Sequence, residues 1–469
     1  MATYICGDCH YVYDESVEKV RFADLPDLWE CPVCGAPKSV YRCKEETKAK
    51  AAEAAVSAVD QTEPLTKYLR SSDELEVWMH DIHEIAEKGD SIDEAMRTRL
   101  PVISWDDILL KGCQLARLPL LQEEPVSTRT VIGPKARQPL VIESPVYVSH
   151  MSFGALSREA KIALAKGSAA VRTAMCSGEG GILEESIGSS YRYIFEYVPN
   201  RYGVTVENLR RADAVEIKFG QSAKPGMGGH LPGSKVTDEI AAVRGFPPGT
   251  DILSPAYFSD IRTRAELQEK VAWLREVSGG RPVGIKIAAG HIESDLDFAL
   301  SAEPDFITLD GRAGGTGSAP KYIKMATSVP TIFALSRARR FLDSHGVKGV
   351  SLVITGGLRI SPDFAKALAM GADAVAIATS ALIALGCQQY KMCNSGRCPM
   401  GLTSQDPELR KRVDVENAAR RVANFLRVST EEIAQFARIT GHRDVHELNV
   451  SDLFTCNSEI SDHTDIEHA

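Results

Sequence analysis

Leu352-Val-Ile-Thr-Gly-Gly-Leu-Arg-Ile-Ser-Pro-Asp-Phe-Ala-Lys-Ala-Leu-Ala-Met-Gly-Ala-Asp-Ala-Val-Ala-Ile-Ala378 carries the pattern that decides the fold. A short apolar run, Leu352–Thr355, ends on two glycines. A helix-like stretch, Pro362–Met370, follows, and a second apolar run, Ala374–Ala378, comes after it. Runs this short and this rich in Val, Ile and Ala suit strands buried on both faces of a parallel sheet. The alternation continues toward the N-terminus. Candidate strands Val146–Ser149, Ala214–Phe219, Val283–Ala288 and Phe306–Leu309 are interleaved with candidate helices Arg158–Ala170, Arg264–Val277, Ser294–Ala302 and Ile332–Ser344. Such repetition suits an α/β fold of the (β/α)8 TIM-barrel kind. A doubly wound open sheet has the same periodicity and stays open at this point.

The chain of 469 residues accommodates one large domain and a small one. The divisions read from the sequence are a cysteine-bearing unit over 1–43, an Ala/Glu/Lys-rich helical linker over 44–64 and a helical or irregular extension over 65–145. A barrel over 146–428 and a C-terminal helix and tail over 429–469 follow. A net charge of −9 argues against a nucleic-acid partner. No apolar run is long enough to cross a membrane, and Met1–Tyr13 lacks the features of a signal peptide, so a cytoplasmic location is expected. Eleven cysteines there point to metal or redox chemistry rather than disulfides.

Seven of those cysteines form two groups. Cys6-x2-Cys9 and Cys31-x2-Cys34 are two knuckles that together give a tetrahedral sulfur site, which iron and zinc both accept. Cys387-x5-Cys393-x4-Cys398-Pro399 places three thiolates within 12 residues, which suits an iron–sulfur cluster, and three ligands suit a three-iron one. A [4Fe-4S] cluster needs a fourth ligand, for which Cys176 and Cys113 are the candidates. Cys43 reads as a packed or surface thiol.

Glycine-rich loops follow several strands: His150-Met-Ser-Phe-Gly154, Asp310-Gly-Arg-Ala-Gly-Gly-Thr-Gly317, Thr355-Gly-Gly357 and Ala378-Thr379. Glycine at a strand end lets backbone N–H groups approach a phosphate, and the last two loops of a TIM barrel are its usual phosphate site. Gly220-Gln-Ser-Ala-Lys-Pro-Gly-Met-Gly-Gly-His-Leu-Pro-Gly-Ser-Lys-Val236 has five glycines and two prolines, with Lys218, Gln221 and Lys224 at its head. Those polar groups can bind an anion or a flavin; a solvated basic loop is the plainer alternative.

Two resemblances sharpen this reading. Leu25-Pro-Asp-Leu-Trp-Glu-Cys-Pro-Val-Cys-Gly35 and Tyr11-Val-Tyr-Asp14 resemble rubredoxin, which implies one iron in four thiolates carrying single electrons. Only 21 residues separate Cys9 from Cys31, fewer than is usual there. From about Leu115 to Phe425 the chain resembles the synthase core of glutamate synthase. The similarity is carried by Ser152-Phe-Gly-Ala-Leu-Ser157, Gly178-Glu-Gly-Gly181, Arg201-Tyr-Gly-Val204, the Gln221–Gly226 loop, Gly314-Gly-Thr-Gly317 and Cys387–Gly401. It implies an FMN-binding TIM barrel with a [3Fe-4S] cluster on Cys387, Cys393 and Cys398. It implies that Gln221, Lys224 and Arg244 hold 2-oxoglutarate, that Glu179 lies beside the reaction centre, and that Lys218 and Lys286 lie near the flavin ring. Ser152, Gly154, Arg201, Gly314, Gly315, Thr316, Gly356, Gly357, Ala378 and Thr379 complete the implied cofactor set.

The family reaction reduces 2-iminoglutarate, formed from 2-oxoglutarate and ammonia, with hydride from FMN. Implied partners are a related dicarboxylate or 2-oxoglutarate, ammonia or an amine, a redox donor protein or reductase subunit, and a separate glutaminase subunit; an oligomer is expected. The chain departs from the family at Cys176 and Ser177, where Asn and Thr are usual, at Ser259, where His is usual, and in having no glutaminase domain. An N-methylglutamate synthase-like subunit using methylamine and a non-catalytic electron-transfer subunit are therefore the alternatives; the cations Lys224 and Arg244 argue against a pure relay.

Plainer readings cover the remainder. His80 and His83 are expected in solvent, and Arg410-Lys-Arg412 as an exposed helix start. A helix is expected over Asp73–Glu87, two more over Asp414–Arg427 and Thr430–Ile439, and a disordered tail after Leu453.

Overall fold

The computed structural model describes residues 2–8, 11–43 and 69–469. The expected linker helix and the ligand Cys9 lie outside these residues. The chain divides into two compact units, Met1–His83 and Glu84–Ala469.

In the first unit, strands Val12–Asp14, Thr3–Cys6 and Tyr41–Cys43 form an antiparallel sheet in that order. Its core is aromatic. Phe22 stacks on Tyr4 at 4.3 Å and takes Tyr13, Trp29 and Tyr41 around it at 5.0–5.7 Å between ring centroids. Such pairs suit a unit too small for a large aliphatic core, which needs a metal or another staple for stability.

The second unit is a closed barrel of eight parallel strands: β1 Val146–Val148, β2 Ala174–Cys176, β3 Arg192–Tyr197, β4 Ala214–Lys218, β5 Val283–Ala288, β6 Phe306–Asp310, β7 Ser351–Thr355 and β8 Ala374–Ile377. β8 closes on β1 through Ile377 opposite Val148. Closure excludes the open sheet. Six strands lie where the apolar runs place them. β2 and β3 have no such run in the sequence: β2 is three residues long, and β3 carries Arg192 and Glu196. Glu196 is nevertheless buried, because it turns into the barrel toward other charges.

Helix α1, Arg158–Ala170, is capped by Ser157, whose side chain accepts from Ala160 N. It packs beneath the long helix α2, Val415–Ile439. α2 replaces the two helices expected over Asp414–Ile439. It runs unbroken through Ser429 because that residue is buried, Thr430 Oγ1 returns a hydrogen bond to Leu426 O at 2.8 Å, and Arg427 pairs with Glu431 one turn on. The tail corrects the expectation of disorder. Leu453–Thr455 pairs antiparallel with Ile108–Leu110, and Glu467–His468 adds to the same sheet. Ile460 and Ile466 are fully buried between them. Arg410 does not start a helix: it ends the turn Pro407–Arg410 and pairs with Glu159 at 2.8 Å. The helix expected from Asp73 begins at Met79, since the Asp73 carboxylate accepts from Leu75 N and Glu76 N in a turn. His80 and His83 are exposed.

Candidate active site at the C-terminal end of the barrel

Strand alternation puts every second side chain inside the barrel. In β4 that places Glu216 and Lys218 inward, and the register sets Glu196 opposite Glu216 and Lys218 opposite Lys286. A layer of charge thus lies under the strand ends. Lys286 Nζ donates to Glu196 Oε1 at 3.3 Å. Burial works against both charges. His150, Lys218 and Lys286 nonetheless hold the Glu196 carboxyl down to about 2, and Glu196, Glu216 and Asp310 hold the Lys286 ammonium above its ordinary value. His150 Nδ1 lies 3.1 Å from Gly178 N, and the ring's other nitrogen is Nε2. That atom is 2.9 Å from Glu216 Oε2 but off hydrogen-bond geometry, and both atoms are buried with no other partner.

Above this layer opens a cavity of about 1090 Å³. Its walls include Ser152, Glu179, Lys218, Gln221, Lys224, Arg244, Lys286, Gly315, Thr316, Ala378 and Thr379. These sequence-named residues, spread over more than 200 positions of chain, therefore converge. Glu179 accepts from Lys218 Nζ at 2.6 Å and from Ser254 Oγ at 2.5 Å. Burial raises the Glu179 carboxyl, but Lys218 outweighs it and the net shift is downward. Gly229 makes room for this group: a Cβ there would stand 2.6 Å from the carboxylate.

Lys224 and Arg244 stand differently. Both are buried, at 6% and 7% exposure, and neither has a carboxylate within ion-pair distance among the described residues. Arg244 donates only to Ser152 Oγ and Phe153 O, lies over the Tyr202 ring at 5.2 Å, and keeps a buried Nε without a partner. Burial pushes the Lys224 ammonium down to about 8, with the like charge of Lys218 adding to it. Two unpaired buried cations on one wall are costly unless anions meet them.

Other expected residues lie outside this lining. Gly154 packs against Arg244 and Leu231, and Gly314 against Ser222 and Asp310. Gly356 and Gly357 line a second cavity of about 1100 Å³ together with Arg97, Arg312 and Arg359. Arg201 points away, pairing with Asp260 at 2.7 Å from a left-handed residue with φ 53°. Sequence reasoning missed His150, Glu196, Glu216, Ser254, Arg97 and Arg359. For Arg97 no local signal exists, since it comes from the extension before the barrel; for Glu196 and Glu216 the signal was an acid inside an apolar run.

Among the described residues the Arg359 guanidinium makes one hydrogen bond, to Leu358 O, and burial with Arg97 nearby pushes it down to about 10. An ideal Cβ on Gly315 would lie 3.4 Å from Thr379 Oγ1 and 3.6 Å from Arg97 N, which ties the two cavities' walls together at that loop. Free guanidinium groups and open strand-end backbone fit a phosphate monoester. The barrel-end cavity beside them, with Ser152, Lys218 and Lys286 on its wall, fits a ring system, so the donor set fits FMN.

The cysteine loop forms a third, smaller cavity of about 390 Å³ lined by Cys387, Cys393, Cys398, Met392 and Met400. Met96, Leu382, Cys393 and Thr403 line both it and the large cavity. The sulfurs of Cys6, Cys31 and Cys34 lie within 4.8 Å of one another, which fits ligands to one metal. Neither Cys113 nor Cys176 lines the loop's cavity; Cys113 accepts from Arg117 Nε at 3.0 Å and Cys176 is sealed inside β2.

Fold and site define the class, an FMN-dependent oxidoreductase built on an α/β barrel. Residues 107–443 match the conserved region in glutamate synthase, and residues 3–41 match rubredoxin. The glutamate synthase large subunit-like protein of Rhizobium meliloti is 37% identical, over 77% of this chain and 86% of that protein. The archaeal glutamate synthase [NADPH] of Methanocaldococcus jannaschii is 37% identical over 74% of each. The archaeal-type glutamate synthase [NADPH] of Dehalococcoides mccartyi is 34% identical over 91% of this chain and 86% of that one. The chain belongs to the glutamate synthase family, with a rubredoxin domain at its N-terminal side.

Proposed function

We propose that this chain makes glutamate from 2-oxoglutarate and ammonia in the barrel-end cavity. One observation carries the reading: Lys224 and Arg244 are buried, lack carboxylate partners, and face the cavity that holds the Glu179–Lys218 pair. Each takes one carboxylate of the substrate, and Gln221, 3.2 Å from Thr316 Oγ1, lines the path between them and the Gly314–Thr316 loop. Ammonia adds to the substrate's 2-carbonyl, water leaves, and an imine results. Glu179, kept ionised by Lys218 and Ser254, accepts hydrogen bonds from the incoming amine and holds it beside the carbonyl. FMN, when bound and reduced, supplies hydride to that imine.

Ser152, Lys218 and Lys286 orient the flavin ring, and Gly315, Thr316, Gly356, Gly357, Ala378 and Thr379 with Arg97 and Arg359 hold its ribityl phosphate. Cys387, Cys393 and Cys398 hold a [3Fe-4S] cluster against the same cavity. Iron in the four-cysteine rubredoxin site serves as a further one-electron station between a redox donor and the cluster. Ammonia arrives free or from a separate glutaminase subunit. Metal-type cysteine groupings suit the reducing cytoplasm.

Ser254, not the Tyr257–Ser259 loop, meets Glu179; Tyr257 is 63% exposed. The groups that meet Glu179, Lys218 and Ser254, are polar, which favours ammonia over methylamine. Anaerobic mixing of the reduced holoprotein with 2-oxoglutarate and ammonia is expected to reoxidise the flavin and yield glutamate in equal amount. Faster reoxidation with methylamine, or none with either amine, overturns the reading.

A further inference from the structure

The wall shared by the large cavity and the cysteine loop carries a cation that the proposed reaction does not use. Lys235 ends the short 3-10 turn Gly233–Lys235 and is 4% exposed. Its Nζ donates to backbone oxygens alone, Ala155 O at 3.2 Å and Cys393 O at 3.3 Å. Ala155 belongs to the loop after β1; Cys393 is the middle residue of the cysteine loop. The Lys235 stem lies against the same loop at Gly396, where an added Cβ would stand 3.4 Å from Lys235 Cγ.

Among the described residues no carboxylate pairs with this ammonium. The charged or ionisable groups that act on it are Arg244, of like sign, and the sulfurs of Cys393 and Cys398. A cation removed from water without an anion is strongly disfavoured, and two carbonyls replace only part of its hydration. The anion available to it is thiolate sulfur, together with the cluster those thiolates would hold. A fixed positive charge beside such a cluster stabilises whichever oxidation state is more negative, which is the reduced one. Cluster potentials follow net charge, hydrogen bonds to the sulfurs and solvent exposure, and the buried Lys235 ammonium supplies the first of these beside the ligand loop.

We propose that Lys235 is a positioning residue of the iron–sulfur site that ties the cysteine loop to the β1 loop and, as its buried counter-charge, raises the potential at which the cluster accepts an electron. The inference rests on the iron–sulfur reading of Cys387, Cys393 and Cys398. The function is specific: a cluster next to the flavin must hold an electron long enough for a second to follow, and Lys235 deepens that hold.

The test is a redox titration of the full-length holoprotein followed by electron paramagnetic resonance, with dithionite donating the single electron and ferricyanide removing it. Wild type, Lys235→Met and Lys235→Arg are compared. The expected result is a cluster in all three, with the Met variant at least tenfold poorer in its one-electron reduction equilibrium, 59 mV lower, and the Arg variant close to wild type. Should the Met variant lose its cluster, retention in the Arg variant supports the proposal and loss in both overturns it. Equal potentials in all three overturn it, as does an Arg variant shifted as far as the Met one. A wild-type protein with no cluster signal sinks the iron–sulfur reading itself, and is seen before any variant is compared.

Discussion

In the N-terminal module Cys6, Cys31 and Cys34 bring their sulfurs within 4.8 Å of one another, inside a small aromatic core that belongs to them alone. In the barrel, Cys387, Cys393 and Cys398 stand around a cavity, part of whose wall also belongs to the larger pocket beside it. The packing around the first group comes from its own module, Phe22 and the rings around it. The second is part of a larger machine, because Met96 and Thr403 serve both cavities and Lys235 bridges the loops. A change at a shared-wall site reaches the cavity next to it.

The difference can be broken most directly at Cys393. Cys393→Ser is expected to abolish turnover driven by an external electron donor, while flavin reduced chemically by dithionite is still reoxidised by substrate. Single-turnover and steady-state rates measured on the same preparation check this. If steady-state turnover survives, the cluster is not on the route. Next in size is Lys224→Met. Removing one partner of a buried charge contact costs about 2–5 kcal/mol, so the apparent affinity for 2-oxoglutarate should fall by at least about thirtyfold, with iron content unchanged. A substrate titration of the variant followed by flavin absorbance reports it.

Proton binding gives a smaller effect with a definite sign. The Lys224 ammonium titrates near 8 in the free protein, and carboxylate binding needs it charged. Affinity for the dicarboxylate is therefore highest below that pH and falls about tenfold per unit above it, with proton uptake on binding in that range. Glu179, lowered, and Lys218, raised, stay charged throughout. Calorimetric binding at several pH values checks the slope; affinity rising above pH 8 contradicts it. The smallest effect is expected at the N-terminal site. Cys31→Ser should cost the rubredoxin iron and leave dithionite-started reoxidation of the flavin unchanged, because dithionite delivers electrons without that centre; iron content and a single-turnover rate check it.

Legibility follows the same division. The two knuckles of the module are contiguous in sequence, so spacing alone names them. The apolar runs named six of eight strands, because a strand buried on both faces reads as a run. β3 escaped because Glu196 sits among its apolar residues, and only the barrel's closure shows that Lys286 and His150 wait for that carboxylate. The cationic wall of Lys224 and Arg244 was readable through a family resemblance, but the absence of partners around it was not. Whether a charge is paired depends on chain that comes near only after folding: Ser152 and Phe153 for Arg244, Ala155 and Cys393 for Lys235. The tail failed for a similar reason, since Leu453–Thr455 is a strand only when Ile108–Leu110 lies beside it.

The central claim is that two unpaired buried cations select a substrate with two carboxylates. Binding of 2-oxoglutarate and of 2-oxobutyrate, its one-carboxylate counterpart in this comparison, to the oxidised holoprotein can be followed by the flavin difference spectrum. The account predicts a preference for the dicarboxylate of at least about thirtyfold, from about 2 kcal/mol for one such charge contact, and its disappearance in Lys224→Met. Equal binding of the two acids by the unaltered protein would contradict it.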